Sequence, residues 1–443
     1  IWKNSGVSII DLGDGIIACE FHTKMNTIGG DVIQGLNKAI DLAEKEYRGL
    51  VIGNDGKNFS AGANIGMIFM MAVEQDYDEL NMAIRMFQNT SMRIRYSAIP
   101  VVVAPFQLAL GGGCEFSMHA DFVQAHAETY MGLVEFGVGV IPGGGGSKEM
   151  ALRASDLFRK NDVELNVLQE YFLTIAMAKV STSGYEAFDT GLLQHGKDVI
   201  VVNKDRQIAE AKKHALLMAE AGYTQPIRRT DVKVLGKQAL GMFLVGTDQM
   251  EAGKYISEHD KKIANKLAYV MAGGDLSEAT LVSEQYLLDI EREAFLSLCT
   301  ERKTLQRIHA YLEKVTPTNF INTKTNELVS DLSKIDENTA LQKGDFRLVS
   351  YEWGVTYAAM LAASKATGDP RFAQYTTQRL NFLAELTPII KAKFPVSSGM
   401  PLRQVIAPHA LDDCGAMSVS MIKAMRDGLV KDKNLQIFDA NKT

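Results

Sequence analysis

The apolar and polar positions near the start of the chain follow the period of strands and then that of a helix. Residues 7–21 alternate in two runs that a Gly-Asp-Gly turn separates, which predicts a β-hairpin. Residues 31–47 repeat apolar side chains at helical spacing. Residues 49–53 and 101–110 are short apolar runs of the kind that form buried strands. Strands and helices in this alternation predict an α/β fold with strand-to-helix crossovers.

The later part of the chain has a mainly helical pattern. Residues 231–313 keep helical periodicity with one clear break, at Gly273 and Gly274. Residues 322–344 are polar with little periodicity, which predicts a linker or irregular surface. Helical periodicity then returns in three pieces, residues 351–367, 371–386 and 412–427.

Composition narrows the classes of function. With 443 residues the chain exceeds what one hydrophobic core usually supports, so two or more domains are expected. A net charge of −6 without a basic stripe argues against a nucleic-acid partner. No apolar run reaches the roughly 20 residues that a membrane-spanning helix needs. The four cysteines are scattered, which predicts free thiols, no metal site and a reducing, cytoplasmic location. The chain starts at Ile1 without a methionine, and we expect it to be cut from something longer.

Two loops of small residues follow apolar strands and expose backbone amides. The first is Ser60-Ala61-Gly62-Ala63, and the second is Gly111-Gly112-Gly113, which opens a helix. Glycine allows a substrate carbonyl to approach such amides closely. Two amide donors directed at one oxygen are a frequent means of stabilising the oxyanion of acyl chemistry. Each loop alone could equally be a tight turn without a ligand.

Two glutamates accompany these loops. Glu115 lies in the first turn of the helix after the second loop, where a carboxylate also stabilises the helix dipole. Glu135 lies among apolar neighbours, and such surroundings raise a carboxyl pKa toward the range useful for proton transfer. The alternative for Glu135 is a surface residue on an irregular loop.

The order and spacing of these segments resemble the enoyl-CoA hydratase (crotonase) family. Phe59-Ser60-Ala61-Gly62-Ala63-Asn64-Ile65 looks like its first oxyanion and CoA-binding loop, and Ala109 to Glu115 looks like its second. Glu135 with Ile141-Pro142-Gly143 looks like its second catalytic segment. The resemblance covers residues 7–193 and implies a crotonase-like core of repeated ββα units.

The resemblance also implies roles for individual residues. The amides of Ala63 and Gly112 would hold the thioester oxygen, and Glu115 and Glu135 would handle the water. Asn64 stands where the family usually has aspartate, a minor departure in a loop-shaping residue. Further residues would bind substrate or CoA: Ala61, Asn64, Ile65, Gly111, Pro142 and Gly143.

The implied activity is hydration of 2-enoyl-CoA to 3-hydroxyacyl-CoA in fatty-acid β-oxidation, with the CoA thioester as substrate and no separate cofactor. Double-bond isomerisation and thioester hydrolysis share the same loops and stay open as alternatives. The region before residue 317 resembles multifunctional fatty-oxidation proteins, which implies a 3-hydroxyacyl-CoA dehydrogenase module upstream in the parent protein. We also expect a homo-oligomer.

The C-terminal tail resembles a different family. Its Tyr351-Glu352-Trp353 and Leu411-Asp412-Asp413 segments resemble the start of unsaturated glucuronyl and rhamnogalacturonyl hydrolases, which are barrels of paired helices. Asp413 would match one catalytic acid of that family. A partial barrel of this kind would be a hydrolase fragment, and we expect Trp353, Met360 and Met417 to be partly uncovered in it.

The predicted architecture is therefore an α/β, crotonase-like core with a helical C-terminal extension, followed by a partial all-α region of helical hairpins. The predicted boundaries are a hydratase domain at residues 1–225, a helical extension at 226–317, a linker at 318–344 and the partial α/α-barrel at 345–443.

Overall fold

The structure is a computed structural model. It describes residues 1–315, short pieces between residues 320 and 349, residues 351–393, 402, 406–407 and 411–430. The chain divides into two compact units, of which the first contains residues 1–64 and 78–304 and the second residues 65–77 and 305–443.

The strands and helices of residues 1–315 alternate as the sequence pattern predicts. The strands are β1 Trp2–Lys3, β2 Val7–Asp11, β3 Ile16–Phe21, β4 Gly49–Gly53, β5 Val101–Val103, β6 Gln107–Leu110, β7 Phe122–His126, β8 Thr129–Gly132, β9 Val199–Val201, β10 Val232–Val234 and β11 Thr280–Val282. The helices are α1 Gly30–Glu46, α2 Ile65–Glu74, α3 Tyr77–Arg95, α4 Gly112–Met118, α5 Gly146–Leu157, α6 Glu164–Ala176, α7 Glu186–Asp189, α8 Gln207–Glu220, α9 Gly236–Ala252, α10 Glu258–Met271, α11 Glu284–Cys299 and α12 Arg302–Val315.

The first unit is built on a seven-stranded sheet in the order β1-β2-β3-β4-β5-β7-β9. The first three strands pair antiparallel, and β3 to β9 pair parallel. Ile16, Val51 and Val102 of adjacent strands are fully buried against Ala211 and Ala215 of α8. Parallel strands covered in this way read as continuous apolar runs, which is why their positions were predictable. The predicted α/β class is confirmed.

A second, two-stranded sheet places the functional loops. Strands β6 and β8 pair in parallel, with Leu110 opposite Gly132. Residues 101–110, predicted as a single strand, divide between the two sheets. Gln107 has a positive φ of 47°, and Pro105 has no amide hydrogen for a sheet ladder. This break turns the chain out of the main sheet, and β6 leads directly into the glycine turn before α4.

Residues 231–313 were predicted to be helical, and the part of them in the first unit contains three long helices and one pair of short strands. Helices α9, α10 and α11 follow one another, and β10 pairs antiparallel with β11. Gly273 and Gly274 both have positive φ and end the α10 segment. Among the described residues, no helix has the length and apolar composition needed to cross a membrane.

The second unit contains α2, most of α12, and the tail. Its further strands are β12 Phe320–Asn322, β13 Leu328–Val329 and β14 Thr339–Leu341, and its further helices are α13 Tyr351–Thr367, α14 Pro370–Lys393 and α15 Leu411–Arg426. The three strands form an antiparallel sheet in the order β13-β12-β14. The segment predicted as a linker therefore contains a sheet, whose strands are too short to give a visible period. Phe320 of this sheet is buried with Leu386 and Ile390 of α14.

Helix α13 is surrounded within the second unit, because α2, α14 and α15 all pack against it. Trp353, Met360 and Met417 are 3%, 0% and 0% exposed. The expectation that these side chains would be partly uncovered is wrong, since α2 comes from a distant part of the sequence. Phe69 of α2 also lies against Phe372 of α14, with ring centroids 5.9 Å apart.

The contact between α13 and α15 is close enough to be tested by adding one methyl group. A Cβ at Gly354 would lie 2.4 Å from the Ala416 carbonyl carbon and 2.5 Å from the Met417 nitrogen, whereas a Cβ at Gly415 would meet no atom of a described residue within 4 Å. We expect Gly354→Ala to lower the free energy of unfolding by about 1–3 kcal/mol through overpacking. Gly415→Ala is the control and should raise it by about 0.5–1 kcal/mol. Thermal unfolding of the full chain measures both, and equal stability of the two variants would contradict this packing.

Candidate active site

The two loops of small residues lie side by side. The Ser60 amide donates to the Leu108 carbonyl at 2.9 Å, and the Leu110 amide donates back to the Ser60 carbonyl at 3.0 Å. The first loop thus pairs in parallel with strand β6, through Ser60 and Ala109, just before the second loop begins. A Cβ at Gly62, which has a φ of +95°, would lie 3.6 Å from the Gly112 nitrogen. Only glycine suits this backbone conformation and this proximity.

The amides of Ala63 and Gly112 are available in this arrangement. Neither donates a hydrogen bond to any described residue, although their neighbours do: Asn64 donates to the Ile28 carbonyl and Gly111 to the Gly132 carbonyl. Gly112 is the first residue of α4, so its amide has no partner within the helix. Two adjacent free amides form a possible oxyanion site.

Glu115 lies on α4 and is 3% exposed. Its Oε1 accepts hydrogen bonds from the amides of Gly144 and Gly146, both at 2.8 Å. Burial raises the pKa of Glu115 well above its usual range, and the carboxylates of Glu135 and Glu291 raise it further, while the two amides oppose this. The carboxyl group is therefore held in place and keeps a proton to higher pH than an ordinary glutamate does.

Glu135 begins a short 3₁₀ helix, Glu135–Val138, just after strand β8. Its Oε2 atom is buried and has no hydrogen-bond partner among the described residues. Burial raises the pKa of Glu135 to about 7. A Cβ at Gly111 would lie 3.0 Å from Glu135 Oε1, so the carboxyl group is beside the second amide loop. The structure thus brings Glu115 and Glu135 together at the two loops.

The other residues predicted to contact substrate fall into different places. The Ala61 amide donates to the Met25 carbonyl at 3.1 Å, which fixes the first loop. The Pro142 carbonyl accepts from Ser147 Oγ at 3.0 Å, and Gly143 lies against the ring of Phe295. Pro142 and Gly143 therefore shape the turn that holds Glu115. Ile65 opens α2 and belongs to the second unit.

A third buried carboxylate, Glu291 on α11, reaches the same glycine turn. Its Oε1 accepts from the Gly145 amide at 2.7 Å, and its Oε2 accepts from the Lys148 amide at 2.9 Å. Glu291 is not among the residues predicted from the sequence. The sequence does contain a sign of its role. Glu284 and Glu291 lie on the same apolar face of the helix as Leu287 and Leu288, and charged residues are unusual on such a face.

A cluster of buried charged side chains lies next to the turn that holds Glu115. Lys148 Nζ donates to Glu284 Oε1 at 3.0 Å and to Glu149 Oε2 at 3.2 Å, and it lies 2.9 Å from His119 Nε2. His119 Nδ1 lies 2.7 Å from the Glu115 carbonyl, so this nitrogen carries the hydrogen and Nε2 accepts from the lysine. Burial and the nearby Lys148 keep the pKa of His119 well below its usual value. The imidazole is therefore neutral.

Asp413 lies in α15, but its side chain is outside the described residues. Within the described part of the chain, no group of three or more His, Cys, Asp or Glu residues is arranged to hold a metal ion. Cys19, Cys114 and Cys299 are free, buried thiols, as predicted.

Part of this chain is similar to known proteins. Residues 11–155 match the family described as enoyl-CoA hydratase/isomerase. A "Probable 3-hydroxyacyl-CoA dehydrogenase" of Bacillus subtilis (strain 168) is 49% identical over 317 residues, which are 72% of this chain and 40% of that protein. A Rickettsia felis protein with the provisional name fatty acid oxidation complex trifunctional enzyme is 26% identical over 313 residues, which are 71% of this chain and 40% of that protein.

Among solved structures, an enoyl-CoA hydratase from Bacillus halodurans is 17% identical with a TM-score of 0.47, and the match covers 69% of this chain and 100% of that one. The chain spans 40% of the length of the two sequence relatives above. The family match includes both amide loops, Glu115, Glu135 and the turn that holds Glu115. Residues 11–155 are therefore a segment similar to the enoyl-CoA hydratase/isomerase family.

Proposed function

We propose that this chain adds water to 2-enoyl-CoA thioesters and releases 3-hydroxyacyl-CoA, as a step of fatty-acid β-oxidation. The observation that carries the proposal is the placement of two carboxyl groups, that of the buried Glu115 and that of Glu135, whose Oε2 atom is buried, beside two adjacent free amides. No separate cofactor is needed, because the thioester itself accepts the electrons of the addition.

In the proposed reaction, the amides of Ala63 and Gly112 bind the thioester oxygen. One glutamate removes a proton from water while the water oxygen bonds to the β-carbon. The electron pair of the double bond moves toward the thioester oxygen, where the two amides stabilise the developing charge. The second glutamate then gives a proton to the α-carbon, which restores the thioester.

The two carboxyl groups are suited to sharing one proton. Burial raises the pKa of each, and the negative charge of Glu135 raises that of Glu115 further. Two acids coupled in this way lose their protons in two steps that belong to the pair. Between those steps one group is a base and the other an acid, which is the state that hydration requires.

The relatives' names suggest the fate of the 3-hydroxyacyl-CoA product. One relative is named for a 3-hydroxyacyl-CoA dehydrogenase and the other for a trifunctional fatty-oxidation complex. We infer that a 3-hydroxyacyl-CoA dehydrogenase module of the parent protein oxidises the product. Self-association and a cytoplasmic location are part of the same proposal. Exposed apolar side chains on α9, including Met242 at 57% and Val245 at 54%, support self-association.

Crotonyl-CoA tests the proposed activity directly. The expected result is loss of the conjugated-thioester absorbance together with formation of 3-hydroxybutyryl-CoA. A 3-enoyl-CoA and a saturated acyl-CoA should be inert under the same conditions. Conversion of the 3-enoyl-CoA without hydration would favour isomerisation instead, and release of free CoA from the saturated thioester would favour hydrolysis.

The tail is proposed to have no glycosidase activity of its own. Glycoside hydrolysis normally needs two acidic groups on opposite sides of the scissile bond, and Asp413 is the one acid that the family resemblance indicates in the tail. Release of unsaturated uronic acid from pectin-derived or glycosaminoglycan-derived disaccharides, lost in Asp413→Asn, would contradict this.

The pH dependence of kcat/KM follows from the raised carboxyl pKa values. As the pH falls through about 7, the pKa of Glu135, both groups become protonated and the base is lost. As the pH rises, the remaining proton dissociates from Glu115, whose pKa the charge of Glu135 raises, and the acid is lost. We therefore expect a bell-shaped profile whose acidic limb lies above the ordinary glutamate pKa of about 4.3. Stopped-flow hydration of crotonyl-CoA measures it, and a profile that stays flat through neutrality would contradict the shared-proton arrangement.

A further inference from the structure

The turn of residues 143–146, here called the glycine turn, is held by two carboxylates at once. Its amides alternate between them along the chain. Gly144 and Gly146 donate to Glu115 Oε1, at 2.8 Å each, while Gly145 donates to Glu291 Oε1 at 2.7 Å. Lys148, the third residue of α5, donates its amide to Glu291 Oε2 at 2.9 Å. Both oxygens of Glu291 are therefore engaged by backbone amides of this segment.

Glu291 is itself fixed from a third element. Gln88 of α3 donates from Nε2 to Glu291 Oε1 at 3.0 Å and to the Leu288 carbonyl at 2.9 Å. Arg292 Nη1 donates to Gln88 Oε1 at 2.9 Å, which sets the orientation of the amide group. Glu291 is fully buried. A fully buried carboxylate with three donors is a rigid group, because every alternative position leaves charge or amides without partners.

Apart from the two carboxylates, the glycine turn is contacted by Ser91 and Phe87, and neither of these pairs with the Gly145 amide. Gly145 has a φ of +107°, which disfavours any side chain there. The Gly144 carbonyl accepts from Ser91 Oγ at 2.6 Å, and the ring of Phe87 fills the space where a Cβ at Gly144 would lie. Without the Glu291 contacts, the Gly145 amide would be buried and unpaired, and the turn would rearrange to satisfy it.

We infer that Glu291 is a positioning residue for the proposed hydration. By holding the Gly145 and Lys148 amides, it keeps the Gly144 and Gly146 amides directed at Glu115. Glu291 makes no contribution to the reacting atoms themselves. The expected effect on catalysis rests on the proposed function. That Glu291 holds the glycine turn, here called the clamp, follows from the hydrogen bonds alone.

Removing the charge of Glu291 should have a second measurable effect, on the pKa values of neighbouring carboxyl groups. Glu115 on α4 and Glu135 on the 3₁₀ helix face it as like charges, and Lys148 on α5 faces it as the opposite charge. Gln88 on α3 is neutral, and Arg292 reaches Glu291 only through it. Because Glu291 raises the pKa of both Glu115 and Glu135, its neutralisation should lower both values.

The test compares Glu291→Gln and Glu291→Asp in the full chain. Glutamine keeps the size but removes the charge and offers one acceptor for two amides. We expect it to lower kcat for crotonyl-CoA by about 10–100-fold, as small misplacements of catalytic groups do, with KM nearly unchanged. The alkaline limb of its pH profile should move to lower pH. Aspartate keeps the charge but is shorter, so kcat should fall while the alkaline limb stays nearer its wild-type position.

Glu293→Gln is the matched control. It makes the same change of residue on the same helix, but the Glu293 side chain is exposed and lies outside the hydrogen bonds that hold the turn. Wild-type kcat and an unshifted pH profile are expected for it. Hydrogen exchange followed by mass spectrometry on the peptide spanning residues 143–150 gives a readout that does not depend on activity. Exchange there should be faster in Glu291→Gln than in Glu293→Gln.

The outcomes separate this inference from the proposed function. If Glu291→Gln keeps wild-type kcat, pH profile and exchange while the wild type hydrates crotonyl-CoA, the positioning role is wrong. If the wild type has no hydratase activity but Glu291→Gln exchanges faster in the turn, the clamp is supported and the proposed function fails. If glutamine prevents folding, as circular dichroism would report, a wild-type kcat and exchange rate in Glu291→Asp would overturn the inference.

Discussion

Glu115→Gln and Glu135→Gln are each expected to lower kcat/KM for crotonyl-CoA by about 10²–10⁴-fold. This is the usual contribution of one positioned acid or base. Glutamine preserves shape and hydrogen bonding but can neither accept nor release the proton. KM should change little, because neither carboxyl group holds the CoA portion. Steady-state kinetics of the two variants beside the wild type measure the effect.

The double variant and a control make this test sharper. Because the two glutamates act as a pair in one reaction, the double variant should be scarcely slower than the worse single variant. Glu128→Gln is the control, since this side chain is exposed and hydrogen-bonds Tyr130 away from the site. Wild-type rates in both single variants would rule out the mechanism. If Glu115→Gln keeps isomerase activity that Glu135→Gln abolishes, a one-base isomerisation replaces hydration.

The sequence was most informative where one local pattern carries the whole signal. The hairpin of β2 and β3, helix α1 and the apolar run of β4 each follow from a single period over a short window. The amide loops were candidates because short runs of small residues after apolar strands expose backbone amides. The resemblance to enoyl-CoA hydratases then related these loops to the two glutamates. Long tail helices such as α13 and α14 were also predictable to within a few residues at most of their ends.

The contacts that depend on distant parts of the chain were not accessible in this way. Glu291 meets Gly145 across 146 positions, and no local rule pairs a helical glutamate with a remote glycine amide. Helix α2 belongs to the second unit although it directly follows the first amide loop. The division of residues 101–110 between two sheets depends on where β8 lies, because Leu110 pairs with Gly132. Tertiary pairing decides these features, and local propensity does not.

Gly111→Ala is expected to have the second large effect, through geometry alone. Gly111 has a φ of 51° and a ψ of −122°, a region that residues with a Cβ rarely adopt. The added Cβ would also lie 3.0 Å from Glu135 Oε1. The backbone must rotate or the carboxylate must move, and rotation would turn the adjacent Gly112 amide away from the oxyanion position. Loss of one oxyanion donor typically costs about 10²–10³-fold in kcat, and we expect a loss of that order.

Gly137→Ala is the matched control for this substitution. Gly137 lies in the same 3₁₀ helix as Glu135, and within the described part of the chain a Cβ there would meet nothing within 4 Å. It should therefore keep wild-type kcat. The strain in Gly111→Ala should also lower the free energy of unfolding by about 1–3 kcal/mol, which denaturant titration measures separately from activity. A folded Gly111→Ala protein with wild-type kcat would mean that the Gly112 amide does not hold the thioester oxygen. A loss of kcat confined to Gly111→Ala would connect the geometry of this one turn to the stabilisation of the oxyanion.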